Sequence, residues 1–571
     1  MILRRYSLAI CPATVKRKLG LMVPPTLLRH RAESLEQHNT TTTNAVGPAN
    51  KPIPPLPVLS LNAREQQLRQ LLLHVCKSID ATGKWEEPLV LRWAGGWVRD
   101  KLLGVESHDI DVAINTMTGL EFAESMCEIC SSEVLTGLGL ATDDLRKPHK
   151  IARNPEKSKH LETATVRILG LDVDFVDLRR ETYAADSRNP VVERGTARQD
   201  AFRRDATINA LFYNIHDNCI EDFTCGLSDL ENCIIRTPLE PLQTFTDDPL
   251  RVLRLIRFAS RLKFAIDPET EKLMDHAGVL DALRVKISRE RVGIELEKML
   301  KGEYPCAALQ LIDRLNLYHA IFTDPHQTAL MRPEMTRWHV AYNCLSSLMA
   351  ERSHPGSVGN LLVRADHDIY AAWNLAALSP WMTIQDVLDG LEKGKPPLPL
   401  VAVVARNGFR APNKLFDLVA ASQRHMKEII ELKTAVCSQQ DWVRERDKLG
   451  MIVRRWDSRG GSWTLQVLNA LLVDAMEQLE TWSDRDCQHF LAYWQQFLDH
   501  LGKIQVYNAH TIKPLVDGHM LARSMQVKPG KWMVKALDVC MAWQLRNPDV
   551  KDASGAIDEV HRRRHELGIP E

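Results

Sequence analysis

Residues 93–114 combine several features that could together bind a nucleotide and a divalent cation. An apolar segment, residues 89–91, is followed by Gly95 and Gly96 and then by a short helical segment that carries Arg99. Two glycines at a strand-to-helix turn let backbone N–H groups approach a phosphate closely, and the start of the helix adds a favourable dipole. Arg99 is therefore a candidate phosphate ligand.

The next predicted strand carries two acids on one face. Side chains alternate along Asp109–Ile114, so Asp109 and Asp111 point to one side while Ile110 and Val112 point to the other. Two neighbouring carboxylates repel each other unless a cation lies between them. Because Mg²⁺ takes carboxylate and phosphate oxygens together, the pattern predicts a metal site for nucleotidyl transfer. Taken alone, a glycine pair is usually a turn and an Asp-x-Asp is usually surface charge.

A third acid is available on a later strand. Residues 164–169 and 171–178 alternate as strands, and Asp174 and Asp177 fall on opposite faces of the second one. Only one of the two can join the acidic pair, and their spacing does not say which. The order of a glycine turn, an Asp-x-Asp strand and another acidic strand predicts a small mixed sheet with helices on one side.

A polar cluster follows on a segment that we predict to be helical. The apolar spacing of residues 201–211 predicts one helix, on which Arg204, Asp205 and Asn209 fall within about one turn. The cluster could be a structural salt bridge, or it could contact a ribose and its phosphates.

A second polar cluster opens the next predicted helix. Thr246 or Asp247 can cap this helix, and Asp248 and Arg251 stand three residues apart on one face. A basic stripe continues along the helix with Arg254, Arg257 and Arg261. From residue 288 to the C-terminus, nearly every segment has helical spacing.

Together these motifs resemble those of the class II tRNA nucleotidyltransferases, the CCA-adding enzymes, which share a catalytic head with bacterial poly(A) polymerases. The matching motifs lie at residues 95–100, 109–111, 203–209 and 247–251. Residues 149–186 and 528–533 are most similar to fungal members. The resemblance implies template-independent addition of the 3′-terminal C-C-A to tRNA, with CTP and ATP as substrates and two Mg²⁺ ions as cofactors.

The resemblance also implies a role for each motif. Asp109, Asp111 and Asp174 would be the catalytic residues and the metal ligands, since the residue before the aromatic in this strand is the family's acidic position. Asp177 would then be a solvated or ion-paired residue. Asp247 stands where many relatives carry Glu, and its implied role is to support Arg251. The implied nucleotide-binding residues are Gly95, Gly96, Arg99, Arg204, Asp205, Asn209, Asp248, Arg251 and Arg254.

Base selection would depend on Asp248 and Arg251, acting as a protein template. Asp248 can accept a hydrogen bond from the exocyclic amine of cytosine or adenine, and Arg251 can donate to the adjacent ring nitrogen. Uracil and guanine present an oxygen to Asp248, and a site of this kind can reject them by roughly 10⁴-fold. The basic segment 149–160 would reshape the pocket between C and A. Addition of only C-C or only A, poly(A) synthesis and a non-catalytic tRNA-binding role remain as alternatives.

Length and composition set the broad limits. A chain of 571 residues is too long for one core, and equal numbers of basic and acidic residues, 73 each, give no net charge to attract nucleic acid. No apolar run approaches the roughly 18 residues of a membrane span, so we expect no membrane partner. Cys127 and Cys130 have no second pair nearby, which argues against zinc and favours reduced thiols in an intracellular compartment.

The predicted fold class is α+β, a small mixed-sheet head followed by a helical neck, body and tail. The predicted divisions are a targeting segment and linker at 1–58, the head at 59–215, the neck at 216–330 and the tRNA-binding body and tail at 331–571. Residues 1–32 contain basic residues and no acid, which is typical of a mitochondrial transit peptide, although a basic disordered tail has the same composition. Initiation at Met22 would leave a cytosolic or nuclear form. The sequence does not predict the oligomeric state.

Overall fold

The structure is a computed structural model of the chain. It describes residues 59–147, 149–151, 163–182, 190–325, 332–384, 398–458 and 461–570. The described residues form two compact units, the first ending at Ile287 and the second beginning at Ser288. The first unit contains a mixed sheet and helices, and the described part of the second contains helices without strands, which confirms the predicted fold class. The targeting segment and linker predicted in residues 1–58 lie outside the described residues.

Most strands of the first unit form one mixed sheet. In chain order the described strands are β1 (Leu91–Ala94), β2 (Asp109–Ile114), β3 (His149–Ile151), β4 (Thr163–Ile168), β5 (Leu171–Asp177), β6 (Arg179–Thr182), β7 (Val191–Arg194), β8 (Phe212–Asn214), β9 (Cys219–Glu221), β10 (Ile234–Ile235) and β11 (Ala265–Ile266). The main sheet has the order β3-β4-β5-β2-β1-β8-β9, while β6 pairs with β7 and β10 with β11. Within the main sheet, β2 and β5 are parallel and the other described pairs are antiparallel.

The helices of the first unit cover part of this sheet. They are α1 (Ala63–Asp80), α2 (Gly96–Leu102), α3 (Gly119–Ile129), α4 (Ser132–Gly137), α5 (Ala197–Phe202), α6 (Gly226–Glu231), α7 (Pro241–Asp247), α8 (Leu250–Leu262), α9 (Pro268–Lys272) and α10 (Ala277–Val285). α1 begins at a capping box between Asn62 and Glu65, and its apolar spacing puts Leu68, Leu71 and Leu72 on one fully buried face.

Alternation along the central strands separates an apolar face from an acidic one. Ile110 and Val112 of β2 and Val173 and Phe175 of β5 are fully buried. The Phe175 ring lies 4.9 Å from that of Phe122 on α3, so this face of the sheet packs against a helix. Residues at the intervening positions of β2 and β5 therefore point to the opposite face.

The helix predicted over residues 201–211 is wrong. α5 ends at Phe202, and the chain makes only a short 3₁₀ turn, Thr207–Asn209, before β8 begins. The backbone N–H of Thr207 donates to the carbonyl oxygen of Arg236 at 2.9 Å, and the Thr207 hydroxyl donates to Asp229 at 2.7 Å. These bonds to distant residues replace the local helical ones, and apolar spacing carries no information about them.

The predicted cap of the next helix is also wrong. α7 ends at Asp247, Asp248 has an extended backbone with φ −136°, and α8 begins at Leu250. The Asp248 carboxylate, rather than Thr246 or Asp247, accepts a hydrogen bond from the backbone N–H of Leu250 at 3.2 Å. The cause is Pro249, because a residue that precedes proline is disfavoured in the helical region.

The described residues of the second unit are helical, as the spacing predicts. The helices are α11 (Arg289–Leu300), α12 (Pro305–Arg314), α13 (Tyr318–Ile321), α14 (Trp338–Ala350), α15 (Val358–Leu362), α16 (Asp366–Met382), α17 (Leu400–Phe409), α18 (Asn413–Cys437), α19 (Arg446–Trp456), α20 (Trp463–Gln478), α21 (Asp484–Lys503), α22 (Gly518–Met525), α23 (Trp532–Arg546) and α24 (Ser554–Arg562). Buried tryptophans such as Trp338, Trp456 and Trp494 fill its core. In the described part of the chain, every helix is too short or too polar to cross a bilayer.

Candidate active site

The turn after β1 depends on a glycine. Gly95 has φ +69° and ψ −124°, a conformation that residues with a Cβ rarely adopt, and it directly precedes α2. Its N–H donates to the carbonyl oxygen of Leu211 at 3.0 Å. A Cβ at this position would lie 2.7 Å from Nη1 of Arg204. The glycine turn and Arg204, which are far apart in the sequence, are therefore in close contact.

Asp109, Asp111 and Asp174 occupy neighbouring positions on one face of the sheet. The parallel register of β2 and β5 places Asp111 directly beside Asp174. Asp109 precedes Asp111 by two residues and so points to the same face. Asp109 is exposed, while Asp111 and Asp174 are half-buried. The fold thus brings together the three acids that the sequence singled out.

Asp109 and Asp111 lie in an environment that disfavours their negative charge. Burial raises the pKa of Asp111 to about 6; Arg204 opposes this shift, and Asp109 and Asp174 add to it. Burial also raises the pKa of Asp109, and the charge of Asp174 adds to the effect. A cation between the carboxylates would relieve this repulsion.

The donor set fits Mg²⁺. In nucleotide sites this ion is bound by one or two carboxylates together with substrate phosphates, rather than by an all-protein cage. Among the described residues, no group of three or more His, Cys, Asp or Glu side chains forms a ready-made metal site. The strand acids therefore offer part of a coordination sphere that the phosphates of a bound nucleotide would complete.

Asp177 lies apart from these three acids and has a structural role. Together with Phe175 it belongs to the face of β5 that packs against α3. Its Oδ1 accepts a hydrogen bond at 2.8 Å from the backbone N–H of Gly119, the first residue of α3. A carboxylate at this end of a helix also interacts favourably with the helix dipole. The two acids that the sequence left as alternatives are thus on opposite faces.

Arg99, Asp205, Asn209 and Arg254 form one hydrogen-bonded network. Arg99 donates to Oδ1 of Asn209, and Nδ2 of Asn209 donates to Oδ1 of Asp205 at 3.1 Å. Arg254 donates from Nε to Oδ2 of Asp205 at 2.6 Å. Burial would raise the pKa of Asp205, but Arg254 and the Asn209 amide outweigh it and hold this pKa well below its usual range. Arg99 is only 4% exposed, so its side chain contacts the protein on most sides.

Arg251, one of the two predicted base-recognition residues, contacts the segment that carries Arg203 and Arg204. It is 6% exposed, and its Nη2 donates to the carbonyl oxygen of Arg203 at 2.7 Å. Asp248 lies just before α8, and its own carbonyl oxygen accepts from the N–H of Arg251 at 3.0 Å. Burial raises the pKa of Asp247, while the neighbouring Arg251 lowers it. Arg251 is therefore placed between Asp247 and the segment that follows α5.

Two families of known domains match the first unit and the residues that follow it. The poly A polymerase head domain matches residues 91–236, and the probable RNA- and SrmB-binding site of polymerase A matches residues 263–331. The mitochondrial CCA tRNA nucleotidyltransferase of Saccharomyces cerevisiae is 37% identical, over 82% of this chain and 87% of its own length. The chain belongs to the tRNA nucleotidyltransferase family.

A second relative and a solved structure are also similar to most of this chain. Nucleotidyltransferase lcsQ of Purpureocillium lilacinum is 58% identical, over 89% of this chain and 93% of its own length. The apo form II structure of a CCA-adding enzyme has the same fold, with a TM-score of 0.58 and 18% identity, and it covers 88% of this chain and 96% of that one. These similarities extend well beyond the head, into the helical second unit.

Asp200 is a buried acid beside the candidate site that the sequence motifs did not single out. It is 1% exposed and accepts hydrogen bonds from Nε of Arg203 at 2.8 Å and from Nε of Arg204 at 3.0 Å. Burial would raise its pKa, but these two arginines outweigh that effect and lower it. The spacing of three and four residues between Asp200 and the arginines is the signal that could have identified it.

Two arginines of the basic stripe on α8 form ion pairs with acids of the segments that precede it. Arg254 is bonded to Asp205, and Arg261 lies 3.1 Å from Oδ2 of Asp100. The Arg257 guanidinium instead lies 4.4 Å from the centre of the Phe258 ring on the same helix. Arg254 and Arg261 thus attach α8 to Asp205, which follows Arg204, and to Asp100, which follows Arg99.

Proposed function

We propose that this chain adds the terminal C-C-A to the 3′ end of tRNA, using CTP and ATP as substrates. The observation that carries the proposal is the pairing of Asp111 with Asp174 beside the Gly95 turn, in a chain that belongs to the tRNA nucleotidyltransferase family. The Saccharomyces cerevisiae relative is named a CCA tRNA nucleotidyltransferase, which supports the choice of substrate.

Asp109, Asp111 and Asp174 are the proposed catalytic residues and would hold two Mg²⁺ ions. Held by these carboxylates, the ions would lower the pKa of the RNA 3′-hydroxyl and stabilise the leaving pyrophosphate. The carboxylates orient the reacting groups for in-line attack, because they lie side by side on one rigid sheet face.

The proposed ribose and triphosphate ligands surround the Gly95 turn. Arg204 lies beside Gly95 and contributes a guanidinium near Asp111, as its effect on the Asp111 pKa indicates. Asp205 and Asn209 would bind the ribose, with Asn209 fixed by Arg99 and Asp205 fixed by Arg254. The full proposed nucleotide-binding set is Gly95, Gly96, Arg99, Arg204, Asp205, Asn209, Asp248, Arg251 and Arg254.

Asp248 and Arg251 are the proposed template for the incoming base. The bond from Arg251 to the Arg203 carbonyl ties the template to the segment that would hold the triphosphate. Base and phosphates would thus be bound in a fixed relation to each other. The segment 149–160, proposed to adjust the pocket from C to A, includes β3, and its remaining residues lie outside the described part of the chain.

These roles correspond to the proposed domains of the chain. We assign the head to residues 59–215, the nucleotide-recognition neck to 216–330 and the tRNA-binding body and tail to 331–571.

A mitochondrial location fits the acid-free residues 1–32, and the Saccharomyces cerevisiae relative is named mitochondrial. Initiation at Met22 would supply cytosolic and nuclear pools.

An incorporation assay tests this function. Purified protein is incubated with tRNAs that end at the discriminator base, at C and at C-C, with each triphosphate supplied singly and together. We expect two C residues and then one A, and no addition of U or G. Addition of C alone or of A alone would indicate a relative restricted to one step. A long A tail would indicate poly(A) synthesis, and binding without addition would indicate a non-catalytic role.

The Asp248→Ala variant tests the template within the same assay. Removal of the carboxylate should allow U to be incorporated at the C positions, with discrimination reduced by about 10²-fold or more, while transfer itself continues. Unchanged discrimination would refute the template role of Asp248 and leave the overall reaction unaffected.

A further inference from the structure

We propose that Thr165 is a positioning residue for the divalent cation site, acting through Asp174. This inference rests on the proposed function, because it assumes that Asp174 is a metal ligand. It adds a residue that neither the sequence motifs nor the acidic cluster identifies.

The strand register places Thr165 next to Asp174. β4 runs antiparallel to β5, with Thr165 directly opposite Asp174. The Thr165 hydroxyl donates to Oδ1 of Asp174, and the two oxygens are 2.5 Å apart. On its other side Asp174 is paired with Asp111 of β2. Asp174 is therefore the central member of a row across three strands, between a hydroxyl donor and a second carboxylate.

A hydroxyl is well suited to hold a metal ligand. It engages one carboxylate oxygen and leaves lone pairs on the other oxygen for a cation. The hydroxyl is neutral, so it brings no positive charge that would compete with the cation. Thr is β-branched and its χ1 angle is restricted, so the donor is held in place before the cation binds. Hydrogen bonds of this kind orient ligating side chains in metal sites.

The next pair along the same two strands provides a contrast. Arg167 lies opposite Asp172, and Nη1 of Arg167 is 3.9 Å from Oδ1 of Asp172. Both of these side chains are more than half exposed, so this acid already has a cationic partner at the surface. The register thus places a positively charged partner, Arg167, beside Asp172, and this charge would compete with a metal ion. It places a neutral hydroxyl beside Asp174, which would not compete.

The matched variants Thr165→Val and Thr165→Ser test the inference. Valine keeps the branched shape and the strand preference but removes the donor, whereas serine keeps the donor. For Thr165→Val we expect the Mg²⁺ concentration that gives half-maximal C addition to rise by about tenfold. The affinity for CTP in EDTA, measured by calorimetry without RNA, should stay the same. Thr165→Ser should restore the normal Mg²⁺ requirement.

Two further variants complete the comparison. Thr136→Val serves as a control, because the exposed Thr136 hydroxyl donates only to a helix carbonyl oxygen, that of Ser132; its Mg²⁺ requirement should not change. Thr165→Ala provides a second donor deletion with a different shape and should match Thr165→Val. Circular dichroism establishes that each variant is folded.

The outcomes separate this inference from the proposed function. If both donor deletions need no more Mg²⁺ than the native protein while Asp174→Ala abolishes addition, Thr165 only stabilises the sheet and the inference is wrong. If Asp174→Ala still adds nucleotides at the native rate, the metal-site assignment itself is wrong. A raised Mg²⁺ requirement that serine reverses supports the inference, because a general loss of stability would not be specific to the cation.

Discussion

Two sets of acids in the first unit are in opposite electrostatic environments. Asp109 and Asp111, on the sheet face, have raised pKa values because of burial and neighbouring carboxylates. Asp200 and Asp205, at the end of α5 and just beyond it, have lowered pKa values because arginines outweigh the effect of burial. The strand acids thus carry charge that Arg204 offsets only in part, whereas Asp200 and Asp205 are already paired.

The difference follows from how each set is positioned. Strand acids two residues apart face the same way, and a parallel neighbour strand adds Asp174 to that face. Asp200 is instead within one turn of Arg203 and Arg204, and Asp205 is reached by Arg254 from α8. We infer that the first set is built to take a cation and the second to fix the arginines and amides of the nucleotide site.

The largest expected effect comes from removing the strand acids. Asp109→Ala and Asp111→Ala should each lower nucleotide addition by at least about 10³-fold, because metal ions supply several kcal/mol of transition-state stabilisation. The folded state should persist, since a like charge has been removed. Addition rates measure the loss of activity, and circular dichroism measures whether the fold persists. Asp177→Asn, on the opposite face of β5, is the control and should retain activity; equal losses in all three variants would contradict the comparison.

Removal of a paired acid should instead destabilise the fold. Asp205→Ala removes the acceptor that Arg254 and the Asn209 amide share. Because the Arg254 side chain is 35% exposed, we expect a cost of about 3 kcal/mol, the lower end of the range for breaking a buried charge pair. Urea unfolding measures this change in the free energy of unfolding. Asp172→Ala removes an exposed member of an ion pair, so it should change stability by less than about 1 kcal/mol. Similar values for the two variants would show that the Asp205 network is not structural.

The smallest effect concerns pH. The folded-state pKa of Asp111 is raised from its ordinary value of 3.8 to about 6, so its stabilising contribution is complete below the lower value and is lost as the pH rises through the higher one. In EDTA, Asp111→Asn should therefore be more stable than the native protein at pH 7.5, by about 2 kcal/mol, and no more stable at pH 4. Urea unfolding at both pH values measures the difference in the free energy of unfolding between Asp111→Asn and the native protein. Saturating Mg²⁺ with CTP should reduce this difference. A gain at pH 4 as large as that at pH 7.5 would contradict the raised pKa.

Local patterns in the sequence were sufficient for much of the fold. The alternation in β2 and β5, the glycine turn and the apolar spacing of α1 depend on neighbouring residues, so they could be predicted directly. The helix predicted over 201–211 was wrong because Thr207 bonds to Arg236 and Asp229, which are distant in the sequence. Asp200 was missed because its spacing of three and four residues from two arginines is a weak local signal, and its burial beside them is a property of the folded structure.

The sequence by itself determined which residues of β2 and β5 face the same way, because side-chain direction along a strand is a local property of the backbone. Only the tertiary structure decided which of these faces meet. Strand register joined Asp111 to Asp174 and Thr165 to Asp174, and it left Asp177 to bind the start of α3. Register is set by packing between segments far apart in the chain, so it becomes visible only when the whole sheet is assembled.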